Sequence, residues 1–260
     1  MRAMEPSRSE LGDFLRSRRE RLEPEAVGLT QRRRRRTPGL RREEVAELAG
    51  IGVDWYIRLE QGRSVSPSTT TIDALARALK LGKAEHAHLK ALAHSGDRRA
   101  FAIETVPDTI RRLIEGLPQP AYVTGRRWDL LAWNAPAALM LGFDLLAEDE
   151  RNILVMMLTR PEARRLFGTT WEATARRMIA QFRATHDLWA GDPLFATLVE
   201  RLGRGCPEFL GWWEAHDIRS TRSGRKQLIH PKLGDIAYDY ATFQANDDPG
   251  LKLSLFARAA

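Results

Sequence analysis

The sequence predicts a multi-domain protein: an all-α N-terminal domain of five helices, then an α+β domain built on an antiparallel sheet. Three observations predict this. Apolar residues recur at three-and-four spacing up to residue 93, with glycine or polar breaks between the runs, whereas two-residue alternation is confined to positions beyond 120. Phe14, Trp55 and Tyr56 are the only aromatic residues before position 97, so the bulky core belongs to the second domain. Nearly all of the formal net charge of +7 is N-terminal, since residues 1–96 hold 19 basic against 13 acidic side chains and residues 97–260 hold 22 against 21. The polar patch at 95–99 then places a linker at 97–106 between domains spanning 1–96 and 107–260.

Ser9 is placed to cap a first helix through Leu22, with Leu11, Phe14, Leu15 and Leu22 on one face. Residues 23–39 form a long connection holding Pro24, Pro38 and five consecutive arginines, Arg32, Arg33, Arg34, Arg35 and Arg36. Leu40, Val45, Leu48 and Ala49 mark the buried stripe of a second helix, and small Ala46 a close crossing. Gly50 can take the positive φ that reverses the chain. A third helix over 53–61 turns Tyr56, Ile57 and Leu59 inward and Asp54, Trp55, Arg58 and Gln61 outward, and Gly62 stops it. Ser68 caps a fourth helix carrying Ile72, Leu75, Ala76 and Leu79, and residues 84–93 make a fifth with Leu89 and Leu92.

Two short helices about a tight glycine turn form a helix-turn-helix, whose second member fits the major groove of double-stranded DNA. Val53, Asp54, Trp55 and Arg58 near its start are the expected base-facing set, with Arg58 suited to guanine and Val53 to a thymine methyl group. Arg41 and Arg42 are expected to grip phosphate and set register. The run Arg32 to Arg36 reads as phosphate-binding charge that adds affinity and salt dependence without sequence preference, or else as a solvated tail. The segment resembles the helix-turn-helix of Xre-type transcription regulators, with Ala46, Gly50 and Glu60-Gln61-Gly62 at the recurrent positions. That resemblance implies a pair between Arg19 and Glu60. The sequence departs from the family at Arg42, where glutamine is usual, and at Tyr56, where a β-branched residue is common.

In the second domain, residues 121–124 and 128–133 read as strands about the turn Gly125-Arg126-Arg127, and Asn134 caps a helix through Leu141. Helical spacing follows over 171–182 and 194–202, and another helix begins within 207–213. Residues 227–230 and 236–243 alternate about a turn, and 251–257 makes a last strand. The helices thus fall between the second and third strands. This layout, with Arg127-Trp128-Asp129, Ala132-Trp133-Asn134, Arg151-Asn152, Pro207-Glu208-Phe209, His216-Asp217 and Asp247-Asp248-Pro249-Gly250, resembles the PAS-like C-terminal domain of MmyB-like regulators. The resemblance implies a sensor domain, and a fatty-acid-like ligand for at least some members. Trp133, Phe143, Met157, Trp171, Met178, Phe182, Trp212 and Tyr240 are the candidate lining of an apolar site, although any one of them taken singly reads first as core.

A single cysteine, Cys206, allows no internal disulfide and fits a reducing cytosol. No apolar run approaches the length of a membrane span, so no membrane partner is expected. His216-Asp217 has no nucleophile-elbow pattern beside it, and His86, His88 and His94 lack metal-ligand spacing. The expectation is a cytoplasmic, homodimeric DNA-binding regulator with no catalytic residues, metal or cofactor, responding to a small apolar or amphipathic ligand. Two other classes fit the layout: a regulator whose second domain only dimerises, and an enzyme fused to a helix-turn-helix.

Overall fold

The computed structural model describes residues 10–29, 38–63, 67–93, 101–189, 191–219 and 223–259. The chain divides into two compact units, Met1–Arg99 with Asp187–Gly191, and Ala100–His186 with Asp192–Ala260. Ser9, the arginines 32–36 and positions 97–100 of the expected linker lie outside the described residues.

The first unit holds α1 (Glu10–Arg21), α2 (Arg42–Ala49), α3 (Val53–Glu60), α4 (Thr69–Ala78) and α5 (Lys83–Ala93). Phe14, Leu15, Leu40, Val45, Tyr56, Leu59, Ile72, Leu75 and Leu89 are buried as its core. Ser68 caps α4 by accepting from Thr71 N at 3.2 Å. Gly50 ends α2 at φ 66°, and its N–H and that of Ile51 close on the last carbonyls of the helix. Gly12 lets α1 lie against the end of α3, where a Cβ would stand 2.3 Å from the carbonyl oxygen of Glu60. Leu48, expected inside, is 39% exposed. The buried face of α2 is centred between Val45 and Ala46: Arg42, three residues before one and four before the other, lies in line with that centre, whereas Leu48, only two residues beyond Ala46, is turned to its edge.

The second unit opens with α6 (Asp108–Glu115), then β1 (Ala121–Thr124) and β2 (Leu130–Trp133). A helical stretch follows, made of α7 (Ala135–Leu141), α8 (Ile153–Thr159), α9 (Pro161–Phe167), α10 (Trp171–His186), α11 (Pro193–Gly205) and α12 (Phe209–Glu214). The strands β3 (Gly224–His230), β4 (Gly234–Gln244) and β5 (Lys252–Arg258) complete a five-stranded antiparallel sheet in the order β2-β1-β5-β4-β3. The last strand therefore lies centrally, pairing with both β1 and β4.

Alternation gives the sheet two different faces. On one, Ala121, Val123 and Ala132 pack with Leu253, Leu255 and with Ile110 and Ile114 of α6. Register places Tyr122 opposite Ser254, Thr242 opposite Ser254, Tyr240 opposite Phe256, and Lys226 opposite Tyr238, so these side chains share the other face. The expected strand at 128 begins at Leu130 instead. Trp128 stays in the preceding turn at φ 68°, its N–H donating to the carbonyl of Gly125 at 3.0 Å.

Candidate functional site

In the first unit the exposed edge of α3 stands on a buried charge cluster. Glu60, 1% exposed, accepts from Arg19 Nε at 2.8 Å and Nη2 at 2.9 Å, and from Arg42 Nε at 3.0 Å and Nη2 at 2.8 Å. Arg16 Nε adds a longer contact at 3.4 Å. Burial alone would raise the pKa of Glu60, but the guanidinium hydrogen bonds of Arg19 and then Arg42 more than offset it and hold the carboxyl below its ordinary value. Arg19 also donates from Nη1 to the carbonyl of Leu40 at 3.0 Å, tying α1 to the entry of α2. Tyr56 lies buried beside this cluster, and burial raises its pKa.

The candidate DNA-facing residues fall into two groups. Val53, Asp54 and Arg58 are exposed on α3, and Arg41 is exposed at the cap of α2, while Trp55 is half-buried. Arg42 differs: its guanidinium is held by Glu60. Its place three residues before Val45 was the sequence signal for that inward role.

In the second unit, a cavity of about 60 Å³ lies between the inner face of the sheet and α8 and α10. Tyr122, Thr124, Tyr240, Thr242, Ser254, Lys226 and Lys252 line it from the strands, and Ile153, Thr174, Arg177, Met178 and Gln181 from the helices, with Trp128 at the turn. Lys226 lies over the rings of Tyr240 at 4.9 Å and Phe256 at 5.3 Å, and Lys252 over Trp128 at 6.0 Å. Burial, and then the Arg177 guanidinium, push Lys226 down to about 8. Burial likewise lowers Lys252 and raises Tyr122 to about 12.

A second hollow, of about 800 Å³, is apolar. Leu139, Met140, Leu145, Leu146, Met156 and Ile229 line it, with Arg160, Arg165 and Lys232 among its polar residues. Leu145 is 78% exposed, and Leu139 and Ile229 are also exposed.

Of the eight candidate pocket residues, the structure brings Met178 and Tyr240 together at the smaller cavity. The other six line neither space and pack as follows. Phe143 is buried edge-on to Tyr122 and contacts Trp133, whose indole donates to Asp144 Oδ1 at 2.9 Å. Trp171 donates to the carbonyl of buried Met157 at 2.8 Å and meets Trp212 at 5.9 Å. Phe182 stacks on Phe195. The polar lining, Lys226, Lys252, Arg177 and the five hydroxyl residues Tyr122, Thr124, Thr174, Thr242 and Ser254, was missed, because only strand register reveals which strand positions converge.

Residues 106–260 match the model of the MmyB-like transcription regulator ligand binding domain, and residues 10–89 match that of a helix-turn-helix domain. The chain belongs to the MmyB-like family. It is a DNA-binding transcription regulator with a ligand-binding domain. No curated protein matches the chain. Among the described residues no helix is long and apolar enough to cross a membrane.

In this MmyB-like regulator, most of the residues that carry the sequence resemblance are scaffold. Asn134 caps α7 through Ala137 N at 3.0 Å, accepts from Ala121 N, and donates to the carbonyls of Ile114, Leu117 and Gln119. Asn152 caps α8 and donates to Asp129 Oδ1 at 3.0 Å, while Asp129 receives the Arg127 guanidinium at 2.8 and 2.9 Å. Asp248 accepts from Gly250 N at 2.8 Å and from Arg126, which also reaches Glu104 at 2.8 Å. Glu208 pairs with Arg164, whose hydrogen bonds draw its pKa down to about 2, and accepts from Cys206 Sγ at 3.2 Å. Cys206 is fully buried, and burial pushes its thiol up.

Proposed function

We propose that this regulator reads double-stranded DNA as a homodimer, inserting α3 into the major groove, and that a small apolar or amphipathic molecule in its second domain controls that binding. The observation that carries the DNA reading is α3 itself: Val53, Asp54 and Arg58 exposed along one edge, with Leu59 and Glu60 locked beneath. Arg58 is suited to a guanine edge and Val53 to a thymine methyl group, with Trp55 beside them. Arg41 supplies a phosphate contact, and Arg32 to Arg36 supply further charge for the backbone. Two copies would present their recognition helices to half-sites about 34 Å apart, one helical turn of DNA.

For the ligand, the apolar hollow supports the reading, since its aliphatic lining suits an alkyl chain and Lys232 suits an acidic head, Arg160 and Arg165 being paired with Glu150 and Glu162. A fatty-acid-like molecule fits that description. Ligand binding would act by favouring one spacing of the two recognition helices.

Binding measured over a panel of operator variants tests the DNA reading. Arg58→Ala is expected to relax preference at one base position, a loss of about 1–3 kcal/mol for the favoured base. Arg41→Ala is expected to weaken every site alike and reduce the salt slope by about 1. Equal loss at all sequences for both would overturn the assignment of α3. Native mass spectrometry of protein purified from cells tests the ligand and the dimer together. A dimer mass carrying a retained acid of lipid size is expected, and a ligand-free monomer would count against both.

A further inference from the structure

One short piece of the ligand-binding domain belongs to the DNA-binding unit. Residues 187–191 lie within the matched span 106–260, between α10 and α11, yet they form part of the first unit together with Met1–Arg99. The piece starts as a 3₁₀ turn, Asp187–Trp189. Inside that unit it is held by a buried pair: His88 Nε2 of α5 donates to Asp187 Oδ2 at 3.0 Å, with 2% of either side chain exposed. A carboxylate withdrawn this far from water is stable only with a partner, so the pair fixes where the segment lies on α5.

From that pair, close-packed contacts lead to the reading helix. The His88 ring stands edge-on to Phe14 at 5.1 Å, and Phe14 is a core residue of α1. The same α1 carries Gly12, set against the Glu60 backbone, and Arg19, bonded to the Glu60 carboxylate at the end of α3. In the other direction Asp187 directly follows His186, the last residue of α10. That helix runs 16 residues from Trp171, and packed interiors transmit strain, so a displacement along α10 arrives at Asp187. The far end of the segment is clamped as well: Asp192 caps α11 through Leu194 N at 2.9 Å and accepts from Phe101 N at 3.0 Å, and Phe101 meets Phe195 of α11 edge-on at 5.1 Å. Only residues 188–191 separate the two anchors. A strap held at both ends passes on a movement that a loose loop would absorb.

We infer that the His88–Asp187 pair is a latch that makes this segment the coupling element of the regulator, through which α10 and the helix-turn-helix unit respond to each other's state. The latch rests on the proposed control of DNA binding by the second domain, and it serves whichever molecule exercises that control. Coupling of this kind is reciprocal, so DNA must act on α10 if events at α10 act on DNA affinity.

The test is hydrogen exchange of the full chain, followed by mass spectrometry with and without a mixed-sequence DNA duplex at low salt, where phosphate contacts alone give binding. The duplex is expected to slow exchange in the last turns of α10 about fivefold or more, and Asp187→Ala to cut that effect below about twofold with the duplex still bound. Asp187→Asn, which still offers an oxygen to His88 Nε2, should retain it. Should Asp187→Ala fail to fold, His88→Ala carries the same expectation. Exchange in α10 that DNA leaves unchanged in the unmutated protein, or equal protection in the folded Ala variant, would overturn the latch. A second arm measures DNA affinity with a fluorescent long-chain fatty acid present. A change in affinity without protection of α10 would leave control by the second domain standing and sink the latch, whereas protection of α10 with no effect of the bound fatty acid would support the latch and count against that ligand.

Discussion

Glu60 concentrates the electrostatics of the DNA-binding unit in one side chain. Its carboxylate is buried and receives five guanidinium hydrogen bonds, so removing its charge leaves buried Arg19 without its main counter-charge. Breaking a buried pair of this kind costs about 3–5 kcal/mol, and Glu60→Gln should lower the stability of this unit by an amount in that range, read from urea unfolding of the helical signal. The pH dependence follows from the direction of its shift. With a folded pKa below the unfolded value, the pair contributes fully above the ordinary carboxylate range, and the contribution is lost as pH falls through the depressed folded pKa. Acid unfolding of this unit should therefore move to higher pH in Glu60→Gln. The pair with Arg19 was legible from the position of Glu60 beside the closing glycine, whereas Arg42 looked like a phosphate ligand. Charge at a helix start invites that reading, and the helical phase, three residues before Val45 and four before Ala46, lets the half-exposed side chain also reach Glu60.

Among the elements, the turn after β2 illustrates how one amide organises several segments. Asn134 satisfies the start of α7, the first residue of β1 and three carbonyls at the end of α6 and beyond. Asn134→Ala leaves these groups without partners and should destabilise the second unit by roughly 2–4 kcal/mol, the sum of a lost cap and buried unsatisfied carbonyls. Tryptophan fluorescence during urea unfolding would measure it, since six of the seven tryptophans lie beyond position 127. Gly12→Val makes the parallel case in the first unit: the added carbons meet the Glu60 backbone, and α1 must shift from α3. The cap at Asn134 was legible because asparagine before a periodic apolar run is a local signal. The strands were legible for the same reason, through alternation. Their order was not, because β5 pairs with β1 across more than a hundred residues, and no local pattern states which of Lys226, Tyr240 and Lys252 face a common space.

At the scale of the whole molecule, charge and apolar bulk are assigned to different parts of the chain. The excess positive charge sits in residues 1–96, the part of the chain that holds the helix-turn-helix, and the second domain is close to neutral. Replacing Arg32 to Arg36 by glutamine should therefore reduce the dependence of DNA affinity on salt by roughly 0.9 in slope for each phosphate left un-neutralised, with the order of preferred operator sequences unchanged. A change in that order, measured by competition between sites, would reassign the run to base reading. The architecture itself was visible beforehand, because the switch from helical spacing to alternation near residue 120 coincides with the rise in aromatic content.

Cys206 gives the molecule one more property. Its sulfur is sealed from solvent, bonded to a carboxylate and held in the protonated form, which removes it from reaction with electrophiles. A cysteine introduced on the surface of α2, as in Glu47→Cys, would then be the sole reactive thiol of the folded chain. A spin label attached there would mark the helix-turn-helix, and in the proposed dimer dipolar spectroscopy between two such markers would record directly whether an effector changes the span between them.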